Sequence, residues 1–176
     1  ALWHAKIYFK AFPNLKMIHI DRHPVDLIYS WYNKGYGSNF YDNPRNALLT
    51  IEWKNKIYPY YAYGWEEEYE NLSEIDRIIK MINMIQSLGE DMIVLLSKHE
   101  RKNIMFINFD KIVQTPLPIL NQISIFLNTI QTKYTSIILD KEKVPRKIDR
   151  KERLKKQVEI KKLASKDSVN LLDIMI

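Results

Sequence analysis

The fold of this 176-residue chain is decided by the stretch Lys16-Met-Ile-His-Ile-Asp-Arg22-His-Pro24-Val-Asp26-Leu-Ile-Tyr-Ser30. Its first half is short, apolar and rich in β-compatible residues, which predicts a strand from Leu15 to Asp21. Its second half has helical spacing, and Pro24 suits the first turn of a helix because that position needs no backbone N–H. The stretch therefore predicts a strand, a tight turn that carries Arg22, and a helix.

Arg22 stands at the end of the predicted strand, at the edge of an open α/β sheet where ligands bind. Its guanidinium offers a planar fork of donors that matches a phosphate, and the first turn of the next helix adds unpaired N–H groups. Ser30 lies two turns into that helix, and the sequence leaves open whether the two side chains converge. Equally open is a surface pairing of Arg22 with Asp21 or Asp26, with Ser30 an ordinary helical serine.

A second strand and helix are predicted further along the chain. The near-continuous apolar run from Ile104 to Phe109 suits a parallel strand that is buried on both faces. A helix from Pro116 to Leu127 follows it, so strands and helices alternate as they do in an α/β sheet with crossover helices. The other predicted elements are a helix that ends before Pro13, a loop over residues 36–43, a helix over residues 46–54 after Pro44, a helix from Ser73 to Leu88-Gly89, and a helix over residues 90–99.

The tract from Ile57 to Tyr69 concentrates aromatic and acidic residues. It offers stacking surfaces for a sugar or a nucleobase, with Glu66 to Glu68 accepting hydrogen bonds from hydroxyls. The alternative is that the tract packs a loop onto the core and leaves its acids in solvent.

Composition excludes several classes of protein. A hydrophobic content of 46% is enough for a substantial core, and no apolar run is long enough to predict a membrane span. The chain has no cysteine, which rules out disulfide scaffolds, thiolate nucleophiles and zinc–cysteine sites. Its four histidines show no spacing typical of a metal site, so no bound metal is expected.

The motif Arg22-x-Pro24-x-Asp26-x-x-x-Ser30 resembles the segment of sulfotransferases that holds the 3′-phosphate of 3′-phosphoadenosine 5′-phosphosulfate (PAPS). In that family the arginine and the serine both contact the phosphate, so the resemblance implies this role for Arg22 and Ser30. The run from Asn103 to Leu127 is similar to the sulfotransferase segment in which a strand ends in Tyr-Glu-Asp-Leu and a proline and a helix ending in Phe-Leu follow. Here the first three positions of that tetrapeptide are Phe109-Asp-Lys.

The resemblance implies an α/β, P-loop-NTPase-like three-layer fold with a mostly parallel sheet, and one sulfotransferase domain over residues 1–176. The family's glycine-containing loop, which binds the 5′-phosphosulfate, has no counterpart among the four glycines of this sequence. We therefore expect an N-terminally truncated domain, inactive alone, with that loop and the catalytic base upstream of Ala1. No residue of this sequence is assigned a catalytic role.

The implied reaction is transfer of a sulfuryl group from PAPS to a hydroxyl or amine of a small-molecule or carbohydrate acceptor, which leaves adenosine 3′,5′-bisphosphate. Many sulfotransferases carry a basic loop in the last third that adds contacts to the 3′-phosphate. This implies that role for Arg146 and Lys147, although Ile148 stands where the family has glycine. A cytoplasmic location is expected.

Two alternatives remain open. Residues 140–166 hold 12 Lys or Arg against five Asp or Glu, while the whole chain has a net charge of +6. Such a basic helical segment is usually a solvated helix face, but it also permits a nucleic-acid-binding module that uses Arg150, Lys151, Lys155 and Lys162. A nucleotide kinase relative is the third possibility, and the Arg22–Ser30 spacing favours a sulfotransferase over it.

Overall fold

The computed structural model describes residues 2–47 and 49–176. Short 3₁₀-helices cover Leu2–His4, Pro44–Asn46 and Tyr60–Ala62. The strands are β1 (Met17–Asp21), β2 (Thr50–Trp53), β3 (Lys56–Pro59) and β4 (Ile104–Asn108). The α-helices are α1 (Ala5–Ala11), α2 (Pro24–Asn33), α3 (Tyr36–Asp42), α4 (Glu66–Asn71), α5 (Glu74–Leu95), α6 (Lys98–Lys102), α7 (Phe109–Gln114), α8 (Pro116–Leu127), α9 (Tyr134–Lys141), α10 (Arg150–Leu163) and α11 (Lys166–Met175).

Contacts divide the chain into two compact units. The sheet unit comprises the described residues up to His23 together with residues 89–150, and the hairpin unit comprises residues 24–88 and 151–176. The predicted assignment of residues 1–176 to one domain stays a prediction.

The sheet unit is built on a two-stranded parallel sheet. β1 pairs with β4 in a register that sets Met17 opposite Ile104 and Asp21 opposite Asn108. Its core comprises Leu2 of the N-terminal 3₁₀-helix, Ala5 and Phe9 of α1, Leu96 just after α5, and Ile104 of β4. A mixed helix and sheet architecture with a small parallel sheet is thus confirmed, with β1, α2, β4 and α8 where the sequence predicts them. The three-layer arrangement and the N-terminal truncation stay predictions.

One expectation about the sheet is wrong. β4 is not buried along its whole length: Ile104 and Ile107, which point to opposite faces of the sheet, are buried, while Phe106, on the same face as Ile104, is 47% exposed. A parallel strand is covered on both faces only where helices pack on each side. On the face that carries Ile104 and Phe106, the cover is therefore incomplete towards the carboxyl end of β4.

The hairpin unit packs helices around an antiparallel hairpin of β2 and β3. The predicted helix over residues 46–54 is wrong, since β2 occupies its second half; Leu48 lies outside the described residues, as does Ala1. Lys54 and Asn55, with φ of 47° and 61°, form a two-residue turn that requires positive φ at both positions and joins the strands.

The loop expected over residues 36–43 is also wrong, because α3 covers most of it. Phe40 is buried and stacks on Tyr36 one turn earlier, with ring centroids 5.0 Å apart. Gly37 serves close packing, since a Cβ there would lie 2.5 Å from the carbonyl oxygen of Glu74. Burial of the aromatic face therefore overrides the weak helix propensity of this segment.

The break predicted at Gly89 does not occur, because α5 continues through it to Leu95. A Cβ at Gly89 would lie 3.3 Å from the side chain of Leu2. This glycine allows α5 to approach the N-terminal 3₁₀-helix, and it does not end the helix.

Candidate functional site

Arg22 follows the carboxyl end of β1, and Phe109 follows the carboxyl end of the neighbouring strand β4. Because the strands are parallel and in register to their last residues, these two side chains emerge at the same edge of the sheet. The Arg22 guanidinium carbon lies 5.2 Å from the centroid of the Phe109 ring. This is a cation–π contact, which fixes the guanidinium without using its hydrogen-bond donors.

Arg22 is exposed, and it forms no ion pair within the described residues. The two carboxylates that the sequence offers as partners are engaged elsewhere. Asp21 pairs with His19, with Oδ1 and Nε2 2.9 Å apart, and Asp26 binds two cations of α10. The donor fork of Arg22 is therefore available to an anionic ligand.

A cleft of about 290 Å³ lies beside Phe109 in the sheet unit. Its lining is mostly apolar and includes Ile20, Phe109, Val113 and Arg146. The Arg146 backbone N–H donates to the carbonyl of Val113 at 2.8 Å. Its Nη1 donates to the carbonyl of Glu142 at 3.3 Å, so the charge of Arg146 has a neutral partner there. Phe109 thus contacts Arg22 and shares a cleft with Arg146.

Lys147, the other predicted basic residue of this loop, is exposed. No hydrogen bond or ion pair of its ammonium group is present within residues 2–47 and 49–176. Its predicted role with Arg146 stays a prediction.

Ser30 belongs to the hairpin unit, while Arg22, Arg146 and Lys147 belong to the sheet unit. Ser30 lies on α2 and is partly buried, and its carbonyl accepts from the backbone N–H of Lys34 at 3.2 Å. α2 is held by Val25 and Ile28, which are both fully buried. The convergence of Ser30 and Arg22 on one phosphate stays a prediction.

The basic segment is only partly a solvated face. Arg153 Nη2 lies 2.6 Å from Oδ2 of Asp26, and Lys156 Nζ lies 3.2 Å from Oδ1. The side chains of Arg153 and Asp26 are each 15% exposed. Burial by itself raises the pKa of Asp26, but hydrogen bonds from Arg153 and Lys156 outweigh it and lower that pKa. These cations anchor α10 to α2, and Lys161 similarly pairs with Asp173 of α11.

Glu66, Glu67 and Glu68 of the aromatic tract are bonded to other groups of the protein. Glu66 is buried and accepts from the backbone N–H of Gly64 at 3.0 Å. Glu67 pairs with Lys54 at 2.6 Å, and Glu68 pairs with Lys80. The sequence also assigned no role to Phe109, although an aromatic residue at the end of a predicted strand was an available signal.

The described part of the chain holds no group of three or more acidic or histidine side chains arranged to bind a metal ion. Nor does it contain a helix with the length and apolar character needed to cross a bilayer.

The sequence matches a known protein family. A family model described as a sulfotransferase domain matches residues 4–165, which is most of the chain. No curated protein and no solved structure matches the sequence.

Proposed function

This chain belongs to the sulfotransferase family, and from that premise we propose that it takes part in sulfuryl transfer from PAPS to a hydroxyl or amine acceptor. The observation that carries the proposal is the exposed Arg22 guanidinium. It is fixed over Phe109 at the carboxyl edge of a parallel sheet and has no acidic partner among the described residues. The match to the family favours this function over a nucleotide kinase.

In the proposed complex Arg22 binds the 3′-phosphate of the nucleotide. A guanidinium presents two parallel N–H donors to two phosphate oxygens, and such charge-assisted pairs are about twice as strong as neutral hydrogen bonds. The Ser30 hydroxyl donates a further hydrogen bond to the same phosphate. Arg146 and Lys147 add positive charge, and the proximity of Arg146 to Phe109 supports its assignment.

PAPS supplies the chemistry when bound: the bond between sulfur and the bridging phosphate oxygen breaks, and sulfur bonds to the acceptor atom, which loses its proton. The residues named above act at the other end of the donor. Their binding energy orients the reacting group. This raises the rate because the reacting atoms are then aligned in the transition state. The proposal assigns them binding and orientation and assigns none of them the proton transfer.

The test is calorimetric titration of the protein with adenosine 3′,5′-bisphosphate. We expect Arg22→Ala to weaken binding by about 1.5–3 kcal/mol, or about 10- to 150-fold, which is the scale of hydrogen bonds to a charged group. The matched control is Arg45→Ala, which removes an exposed arginine of the hairpin unit. An affinity that is the same in wild type and Arg22→Ala would reject the role of Arg22.

A further inference from the structure

One side of α9, in the sheet unit, is apolar and exposed. Leu139 is partly buried and lines the cleft of about 290 Å³. Because a helix turns by about 100° per residue, Tyr134, Ile137 and Ile138 lie on the opposite side of α9. Their exposed fractions are 59%, 58% and 53%, and Ile130, which precedes the helix, is 88% exposed. These four side chains, which we call the α9 patch, form the kind of exposed apolar surface that binds a partner or a membrane.

Lysines accompany the α9 patch. Lys141 lies about 15° from the centre of the apolar side of the helix. Lys133 directly precedes α9, and Lys143 follows two residues after its end. All three lysines are exposed, and Lys133 Nζ lies 5.5 Å from the centroid of the Tyr134 ring. Neither Lys141 nor Lys143 forms an ion pair in the part of the chain that the structure describes, so both charges are available to an anionic surface.

Two acids lie near these lysines, but at the sides of the helix. Asp140 and Glu142 lie about 115° and 85° from the centre of the apolar side. Residues 133–147 hold five Lys or Arg against these two acids. Positive charge therefore predominates around the α9 patch.

The position of Lys141 favours a lipid surface over a protein partner. The cores of protein interfaces are depleted of lysine, whereas Lys141 stands within the apolar side of α9. At a bilayer, Lys141 can lay its methylene groups beside Ile137 and Ile138 and extend its ammonium group to the lipid phosphates. Tyr134 suits the same boundary, because its ring is apolar and its hydroxyl is polar.

We propose that the α9 patch binds the surface of an anionic lipid bilayer. Ile137 and Ile138 enter the outer part of the acyl chains, and the three lysines bind headgroup phosphates. The helix lies in the plane of the bilayer surface, as amphipathic segments do, and does not span the membrane. The proposal goes beyond the proposed function and does not depend on it, because it uses none of the residues assigned to the nucleotide.

Co-sedimentation with large vesicles tests the proposal. One set of vesicles contains phosphatidylcholine alone, and the other contains phosphatidylcholine mixed with phosphatidylserine. We expect the protein to sediment with the mixed vesicles much more than with the neutral ones, and added salt to reduce this binding. Lys141→Gln should weaken binding to the mixed vesicles about 5-fold, which is the factor that one lysine contributes near an anionic surface.

A double variant, Ile137→Gln with Ile138→Gln, tests the apolar contribution. Both isoleucines are exposed and glutamine is a good helix former, so the fold is retained, which circular dichroism checks. We expect binding to the mixed vesicles to fall about 10-fold or more, because apolar side chains no longer enter the bilayer. The matched control is Val94→Gln with Leu95→Gln, at two consecutive residues of α5 that are 75% and 67% exposed, and it should bind as wild type does.

Three results of the vesicle experiment would each overturn the proposal: no binding to the mixed vesicles, equal binding to mixed and neutral vesicles, or wild-type binding by the double variant of α9. Equal losses in that variant and in the α5 control would overturn it as well. Sedimentation velocity is run in parallel. Self-association that the α9 variant abolishes, without vesicle binding, would make the α9 patch a contact between copies of this chain and would also overturn the proposal.

Discussion

Two arginines show why formal charge is a poor guide to a binding site. Arg153 lies in the most basic part of the chain, but it is mostly buried and its guanidinium is bonded to Asp26. Arg22 lies outside that segment and is exposed, and its guanidinium lies over the ring of Phe109. Part of the positive charge of residues 140–166 therefore holds α10 to α2, while the donors of the Arg22 guanidinium stay exposed at the edge of the sheet.

The largest effect on stability should come from Asp26. Asp26→Ala leaves Arg153 and Lys156 without their carboxylate in a mostly buried position, so we expect the free energy of unfolding to fall by about 2–3 kcal/mol. Urea denaturation followed by circular dichroism measures this. Asp91→Ala, at an exposed aspartate of α5, is the control and should cause no such loss. A change below about 0.5 kcal/mol in Asp26→Ala would mean that the contacts of Asp26 with Arg153 and Lys156 contribute nothing measurable to stability. Many surface ion pairs behave in this way.

The two arginines can be compared directly. We expect Arg153→Ala to lower the free energy of unfolding by about 1.5 kcal/mol, because it removes hydrogen bonds to a charged group. Arg22→Ala should change it by less than about 0.5 kcal/mol, as substitutions of exposed residues usually do. The same denaturation experiment measures both. If Arg22→Ala destabilised the protein as much as Arg153→Ala, Arg22 would be a structural residue.

In the sheet unit, Glu100 is a charged residue that is bonded to other groups of the protein. Its Oε2 accepts from the Ser97 backbone N–H at 2.7 Å and pairs with Lys6 at 3.0 Å. The Ser97 N–H, with the Ser97 hydroxyl and Lys6, lowers the pKa of Glu100 to about 2, from 4.5. Because the folded pKa is the lower one, the stabilisation is present above pH 4.5 and is lost as pH falls from there towards 2.

Acid titration of unfolding tests this smaller effect. We expect Glu100→Gln to flatten the pH dependence of the free energy of unfolding between pH 4.5 and 2 relative to wild type. Glu90→Gln, at an exposed glutamate of α5, is the matched control and should keep the wild-type slope. A wild-type slope in Glu100→Gln would show that the contacts with Ser97 and Lys6 do not lower the pKa of this carboxyl group.

The edge of the sheet could be predicted because its signals are local. The change from strand to helix around Arg22 is encoded by consecutive residues. The same is true of the apolar strand that ends at Phe109. Segments with weak local signals were predicted wrongly: α3 forms because Phe40 is buried, and β2 forms because the turn at Lys54 and Asn55 pairs it with β3. In both cases packing and pairing decided what propensity did not.

A cleft of about 530 Å³ in the hairpin unit, lined by Tyr41, Tyr58 and Tyr69, could not be predicted, because its walls come from separate elements. Tyr41, Tyr58 and Tyr69 come from a helix, a strand and another helix. The sequence pointed to Glu66–Glu68 as the acids for a hydroxylated ligand, but these are engaged with other groups, and Glu70 lines the cleft. The bond of Asp26 to Arg153 escapes sequence reasoning for the same reason, since 127 residues separate them.

The central claim, that Arg22 binds the 3′-phosphate, is tested most directly by two nucleotides on two proteins. Adenosine 3′,5′-bisphosphate and adenosine 5′-monophosphate, which lacks the 3′-phosphate, are titrated calorimetrically into wild type and Arg22→Ala. We predict that the substitution weakens the bisphosphate about 10- to 150-fold and leaves the affinity for the monophosphate unchanged. Equal losses for both nucleotides, or no loss for either, would contradict the claim.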